Sequence, residues 1–248
     1  MRAIIFAAGV GARLGDHAAN LPKVLLRFAG QSLLERHIRI LRAIGIDDVV
    51  VGTGFGADLI AAEIARLGAG GVRQVHNPEF RLGSIVTQWA LRRPIVEGGE
   101  VVLMDADVLY DQRLLRRLVE SAHGNCFLLD RNLEPGEEPV KLCVKDGFLV
   151  DFRKRPERAH DWYGESVGFF RLTEATARRL VKRTGQYLAT GRTGEYYDEA
   201  LRDLLIGDPP GHFGFEDITG LPWTEIDFAD DVIRAEREIL PLLEALER

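Results

Sequence analysis

Four residues near the start of the chain, Gly9, Gly11, Arg13 and Lys23, are of the types and spacing that hold a polyphosphate. They lie in Ala7-Ala8-Gly9-Val10-Gly11-Ala12-Arg13-Leu14-Gly15 and Leu21-Pro22-Lys23, directly after the apolar run Ala3-Ile4-Ile5-Phe6. Such a run reads as a buried strand emptying into a glycine-rich loop. Glycines let the backbone approach a ligand closely, and successive N–H groups in such a loop form a concavity for anions. Arg13 and Lys23 add fixed positive charge. Two better-known loops are excluded. No Gly-Lys dipeptide occurs anywhere, so this is not a Walker loop. A dinucleotide loop needs its third glycine one place before Gly15, and residues 16–22 make a poor helix start.

Carboxylates supply a second constellation. Val101-Val102-Leu103-Met104 is a buried strand delivering Asp105-Ala106-Asp107, and acids at i and i+2 beyond a strand point to the same side. An Asp there can also close the strand or cap the helix Arg113 to Glu120. The carboxyl end of a strand is, however, the ligand rim of an open α/β sheet. Near the other end of the chain, Trp223-Thr224-Glu225-Ile226-Asp227 reads as a short strand ending in Asp227.

The loop Gly9-x-Gly11-x-Arg13 followed by Pro22-Lys23 resembles the signature of the sugar-phosphate and phospho-alcohol nucleotidyltransferases. The resemblance is closest to the phosphocholine- and phosphonate-type cytidylyltransferases. One departure is Ala12, where the family usually has Ser or Thr, so a hydroxyl to the triphosphate is missing while the backbone amides remain. The resemblance implies that Asp107 and Asp227 bind Mg²⁺, with Asp105 behind them and Glu225 left open. A hard cation of this kind needs only one or two carboxylates beside phosphates and water. No His-Glu-x-x-His and no Cys-x-x-Cys competes for a softer metal. Nucleotide contacts are implied at Ala7, Ala8, Gly9, Gly11, Arg13, Lys23, Ser84 and Asp105. Ser84 is equally readable as an N-cap. Catalytic charge is implied at Lys23, Arg13 and Lys154. Lys141 is the alternative to Lys154, because a lysine inside an apolar strand needs a partner. On the acceptor side the resemblance points to the strand Trp162 to Phe170, with Glu165, and to Tyr196-Tyr197-Asp198. Aromatic faces beside carboxylates suit an ammonium group; a half-buried aromatic patch with a solvated acidic face is the plainer reading.

The elements that position these residues follow a regular pattern. Gln31 to Ile44 is an amphipathic helix with a Ser32/Glu35 capping box, ended by Gly45. Strand Asp48 to Gly52, helix Leu59 to Leu67 and strand Val72 to His76 follow, then a helix from Ile85 to Leu91. This alternation predicts a parallel sheet with helices on both faces. Asn125 to Leu129, Val140 to Val144 and Gly147 to Phe152 read as strands, and Thr173 caps a helix to about Leu188. A last helix from Asp230 to Ile239 is expected to stop before Pro241. The fold class expected is α/β, Rossmann-like and doubly wound, with a mostly parallel mixed sheet and a small β-rich insertion. We read one domain over 1–248: a nucleotide-binding half at 1–128, an acceptor-site insertion at 129–171, and a C-terminal part at 172–248 that completes the metal site.

Bulk properties narrow the partners. With 248 residues, 46% hydrophobic and 28% charged, the chain has the make-up of an ordinary globule, and its formal charge of −6 argues against nucleic acid. No apolar stretch approaches the length that spans a bilayer. Direct entry into a strand predicts no signal peptide, and Cys126 and Cys143 read as buried reduced thiols. A cytoplasmic enzyme is expected. Its expected partners are a nucleoside triphosphate, CTP first, and a small acceptor bearing phosphate or phosphonate. Two alternatives stay open: a sugar-1-phosphate uridylyl- or thymidylyltransferase, and a nucleotide-binding module without catalysis. The oligomeric state is not legible.

Overall fold

A computed structural model describes residues 1–11, 13–14, 21–133 and 139–246; Ala12 and Gly15 lie outside the described residues. The first strand, β1 (Arg2–Ala7), leads through the glycine loop and a 3₁₀ turn at Lys23–Leu25 to a short ribbon, β2 (Arg27–Phe28) and β3 (Gln31–Ser32). Then come α1 (Leu33–Ala43), β4 (Val49–Thr53), α2 (Ala57–Arg66), β5 (Val72–His76), α3 (Ser84–Ala90) and α4 (Arg92–Val96). The middle of the chain supplies β6 (Val101–Asp105), β7 (Val108–Tyr110), α5 (Gln112–Glu120) and β8 (Cys126–Asp130). A hairpin, β9 (Lys141–Lys145) and β10 (Phe148–Arg153), precedes the long β11 (Trp162–Leu172). The chain finishes with α6 (Glu174–Ala189), α7 (Tyr197–Gly207), β12 (Gly214–Asp217), β13 (Trp223–Glu225), α8 (Ala229–Arg234), a π-helical turn at Ala235–Ile239 and α9 (Leu240–Leu246).

Among the described residues nine strands form the main sheet. Its centre is the parallel set β6-β1-β4-β5, in which Ile5 lies beside Val51 on one neighbour and Met104 on the other. β11 runs antiparallel to β6, so the sheet is mixed as well as mostly parallel. The first half of β11 pairs with β9 and its second half with β6, while β8 lies along its other edge. Strand periodicity divides the apolar residues cleanly. Ala3, Ile5, Val49, Val51, Val102 and Met104 pack with Leu34, Ile38 and Leu114 on one face, whereas Ile4, Val50, Val101 and Leu103 meet Ile85, Leu180 and Leu201 on the other. Helices therefore cover both faces, as the α/β alternation requires. No helix among the described residues is long and apolar enough to cross a membrane.

Three local expectations are corrected. Helix α1 begins at Leu33 and not at Gln31, since Gln31 and Ser32 form β3; Ser32 is the N-cap, as its place in the capping box predicts, and accepts from the Glu35 N–H at 3.0 Å. Ser84 does not cap α3. The cap is Gly83, where any Cβ would fall 2.2 Å from the Glu195 carbonyl oxygen. The Ser84 hydroxyl instead accepts from the Tyr197 N–H at 2.9 Å and so caps α7. Finally, the C-terminal helix runs through Pro241. The π-helical turn just before it widens the hydrogen-bond ladder where the proline would otherwise break it.

The 151–158 segment is fastened to α7 by a buried ion pair. Asp151, 0% exposed, accepts from Arg202 Nε at 2.7 Å and from the N–H groups of Phe152, Glu157 and Arg158 at 2.9, 2.8 and 3.0 Å. Burial opposes the charge, but these donors win and hold the carboxyl below the usual range. Arg202→Met strands that charge and is expected to cost about 3–5 kcal/mol, read from the urea unfolding midpoint.

Candidate active site

A cavity of about 940 Å³ opens at the carboxyl ends of β1 and β6. Ala7, Ala8, Gly9, Gly11, Arg13 and Lys23 line it, and so do Asp105, Asp107 and Asp227. Lys23 joins the N-terminal loop to both candidate metal ligands: its Nζ lies 2.8 Å from Asp107 Oδ2 and 2.6 Å from Asp227 Oδ1. Burial works against its charge, yet the two carboxylates hold the ammonium well above its ordinary pKa. Arg13 donates to Asp227 Oδ1 at 3.1 Å and lies 5.3 Å over the Phe228 ring.

The acids converge because β7 and β13 form a two-stranded antiparallel ribbon that places Glu225 opposite Val108. The Ile226 N–H donates to the Asp107 carbonyl at 2.9 Å. Asp231, at the start of α8, accepts from the N–H groups of Asp227 and Phe228 at 2.8 and 2.6 Å. As a result, carboxylate oxygens of Asp107, Glu225 and Asp227 all lie within 4.8 Å of one another. Glu225 is itself exposed at the cavity edge, and the surrounding protein together with Asp107 and Asp227 holds its carboxyl above the usual range. Three oxygen donors with no nitrogen or sulfur fit a hard divalent cation.

Asp105 lines the same cavity as Asp107 but stands outside that cluster, behind the three acids. Asp105 accepts from the Tyr197 hydroxyl at 2.8 Å and packs against Gly168. Gly168 has φ +78°, and a Cβ there would fall 2.1 Å from Asp105 Oδ2. Burial and the neighbouring acids Asp198, Asp107 and Glu225 hold the Asp105 carboxyl well above the usual range.

The acceptor-side residues line the same cavity, with one exception. Lys154, Glu165, Tyr196, Tyr197 and Asp198 border it, as does Ser84. The Tyr197 ring stacks on Phe6 at 4.4 Å, and Lys154 Nζ lies 5.9 Å from the centre of the Tyr196 ring. Burial and Glu199 push Asp198 up to about 7. Lys141 is not among the lining residues. Its ammonium donates to the carbonyls of Lys154 and Pro139 at 3.0 and 3.4 Å, which are the partners a strand lysine requires. Sequence reasoning passed over Asp130 and Trp223, which also border the cavity and are joined by a 2.7 Å bond from Trp223 Nε1 to Asp130 Oδ2. Trp223, Glu225 and Asp227 recur at a two-residue period, a signal that could have gathered all three. Asp130 carries no such signal.

Taken together, an anion-holding loop and an acidic triad at the ligand rim of a doubly wound sheet define an enzyme that handles nucleotide phosphates. Residues 3–157 match the family model of the MobA-like NTP transferase domain, and the chain belongs to that family of nucleotidyltransferases. It is 28% identical over 253 residues to the CMP-5'-(3-aminopropyl)phosphonate synthase of Streptomyces rubellomurinus, covering 97% of this chain and 39% of that protein. It is 29% identical over 242 residues to the bifunctional IPC transferase and DIPP synthase of Rubrobacter xylanophilus, covering 96% and 52%. The chain thus spans about half or less of these relatives' lengths. In fold it is similar to the inositol-1-phosphate CTP transferase from T. maritima, with TM-score 0.77, 22% identity, and coverage of 100% of this chain and 96% of that one.

Glu165 yields a pH prediction. It is 8% exposed and stands directly across from Asp130 in the β8–β11 pair. Burial and that neighbour push its carboxyl from 4.5 up to about 7. The folded protein therefore holds a proton that the unfolded chain has released, and stability falls as pH rises through this window. Glu165→Gln is expected to remove that slope and to stabilise the protein at pH 8 by on the order of 2–3 kcal/mol, measured by urea denaturation across pH.

Proposed function

We propose that this protein transfers a cytidylyl group from CTP to a small acceptor bearing a phosphate or phosphonate, with Mg²⁺ as cofactor and release of pyrophosphate. The observation that carries this reading is the double character of one cavity. It is lined by the phosphate loop, Arg13, Lys23 and the acidic triad, and also by Glu165, Tyr196, Tyr197 and Asp198. Carboxylates beside aromatic rings favour an acceptor with an ammonium group, and the CMP-aminopropylphosphonate product named for one relative has that character.

In this reading an acceptor oxygen attacks the α-phosphorus of CTP, a new P–O bond forms, and the bond to the pyrophosphate oxygen breaks. A phosphate monoester is already largely anionic at pH 7, its second pKa being about 6, so no general base is required. The protein's part is in-line placement and neutralisation of accumulating charge. The backbone of the 7–11 loop and Arg13 hold the triphosphate. Lys23 exchanges carboxylate partners for phosphate oxygens and stabilises the departing pyrophosphate. Lys154 faces the acceptor. Asp107, Asp227 and Glu225 would hold Mg²⁺, which supplies further neutralisation of phosphate charge when bound.

The test is pyrophosphate release with Mg²⁺ across four nucleoside triphosphates and a panel of phospho-alcohols, phosphonates and sugar-1-phosphates. Release is expected with CTP and an amino-alcohol phosphate or aminophosphonate, and Lys23→Ala should lower turnover by roughly 10²–10³. Release with UTP or dTTP and a sugar phosphate would retain the nucleotidyl chemistry and sink the acceptor assignment. Binding of CTP with silence across the panel would favour a module without catalysis.

A further inference from the structure

His37 lies on α1, is not among the residues that line the cavity, and is completely buried. Its ring nitrogens meet two groups. Nε2 lies 3.0 Å from the carbonyl oxygen of Ala106, and Nδ1 lies 3.3 Å from the Tyr110 hydroxyl. A carbonyl can only accept, so Nε2 carries the proton, and in the neutral ring Nδ1 accepts from the tyrosine. Burial keeps the ring neutral by pushing its pKa down to about 4. Tyr110 is fixed in turn by an edge-on contact with Phe169 at 4.8 Å.

Ala106 is the one residue between the end of β6 at Asp105 and the cavity carboxylate Asp107. Its carbonyl lies outside the sheet ladders, and His37 satisfies it. The carbonyl on the other side of Asp107, its own, is bonded by the Ile226 N–H at 2.9 Å. Both peptide planes that flank the Asp107 Cα are therefore held by bonds from distant elements, which fixes the direction in which its side chain leaves the backbone. We propose that His37 is a positioning residue for Asp107, acting through the Ala106 carbonyl to aim that carboxylate at the cation shared with Glu225 and Asp227. This rests on the reading of Asp107 as a metal ligand.

The test is Mn²⁺ binding, followed by electron paramagnetic resonance with a non-hydrolysable CTP analogue present, in the wild type, His37→Gln and His37→Leu. Glutamine keeps an N–H that reaches the carbonyl, whereas leucine fills the space without a donor. Both substitutions disturb a packed core, so lost thermal stability does not separate them. Metal affinity does. His37→Leu is expected to bind Mn²⁺ about tenfold or more weakly, and His37→Gln to retain most of the affinity. Folded His37→Leu with wild-type Mn²⁺ affinity overturns the proposal, as does equal loss in both variants. If His37→Leu does not fold, His37→Met, which also fills the space without an N–H donor, carries the same expectation, and folded His37→Met with wild-type Mn²⁺ affinity overturns the proposal. A wild type that binds the analogue but no Mn²⁺ fails at the metal reading itself and takes this inference with it.

Discussion

The arrangement depends on one lysine placed among three carboxylates. Asp107, Glu225 and Asp227 converge at one end of a ribbon, and like charges this close repel, which is part of what holds Glu225 toward its neutral form. Lys23 offsets that repulsion from a third, distant part of the chain, and Arg13 adds a second contact to Asp227. The phosphate loop, the middle of the sheet and the C-terminal ribbon are thereby tied at a single point. The Lys23 ammonium thus occupies the space between Asp107 and Asp227.

The site combines charge that is neutralised with charge that is suppressed. Around Lys23 the carboxylates have cationic partners. Around Tyr197 burial and neighbouring acids prevail: Asp105 and Asp198 are kept toward their neutral forms, the latter despite the charge of Lys154. Perturbed acids lining a cavity are a mark of functional sites, because folding alone gives no reason to retain them. The buried Asp151–Arg202 pair is different in kind, since Asp151 has four hydrogen-bond donors and serves to anchor the hairpin on α7.

Much of this was legible in the sequence where the signal is local. The glycine loop, its two cations, the strand-end Asp107 and the closing Asp227 each sit in a recognisable run, and the α/β alternation predicts the two-faced sheet. What escaped depends on distant contacts. Glu225 was left open because its value comes from the pairing of β13 with β7. Ser84 has the right type for a cap, yet the helix it caps begins 113 residues later. Lys141 looked like a candidate phosphate ligand because its true partners, two backbone carbonyls, carry no side-chain signature. His37 left no trace beyond an apolar helix face.

The crossing of α3 with the segment before α7 has a mechanical consequence. The Gly83 N–H donates to the Thr193 carbonyl at 2.7 Å, the Ile85 N–H to the Glu195 carbonyl at 3.2 Å, and the Tyr197 N–H to Ser84 Oγ at 2.9 Å. Three bonds over so few residues, with the Gly83 backbone pressed against Glu195, make the two helix starts one rigid joint. The first turn of α3 and the tyrosines that open α7 border the same cavity from different stretches of chain. Any tilt of one is transmitted to the other, so the two sides of the cavity behave as a single hinged jaw and cannot adjust to their occupants independently.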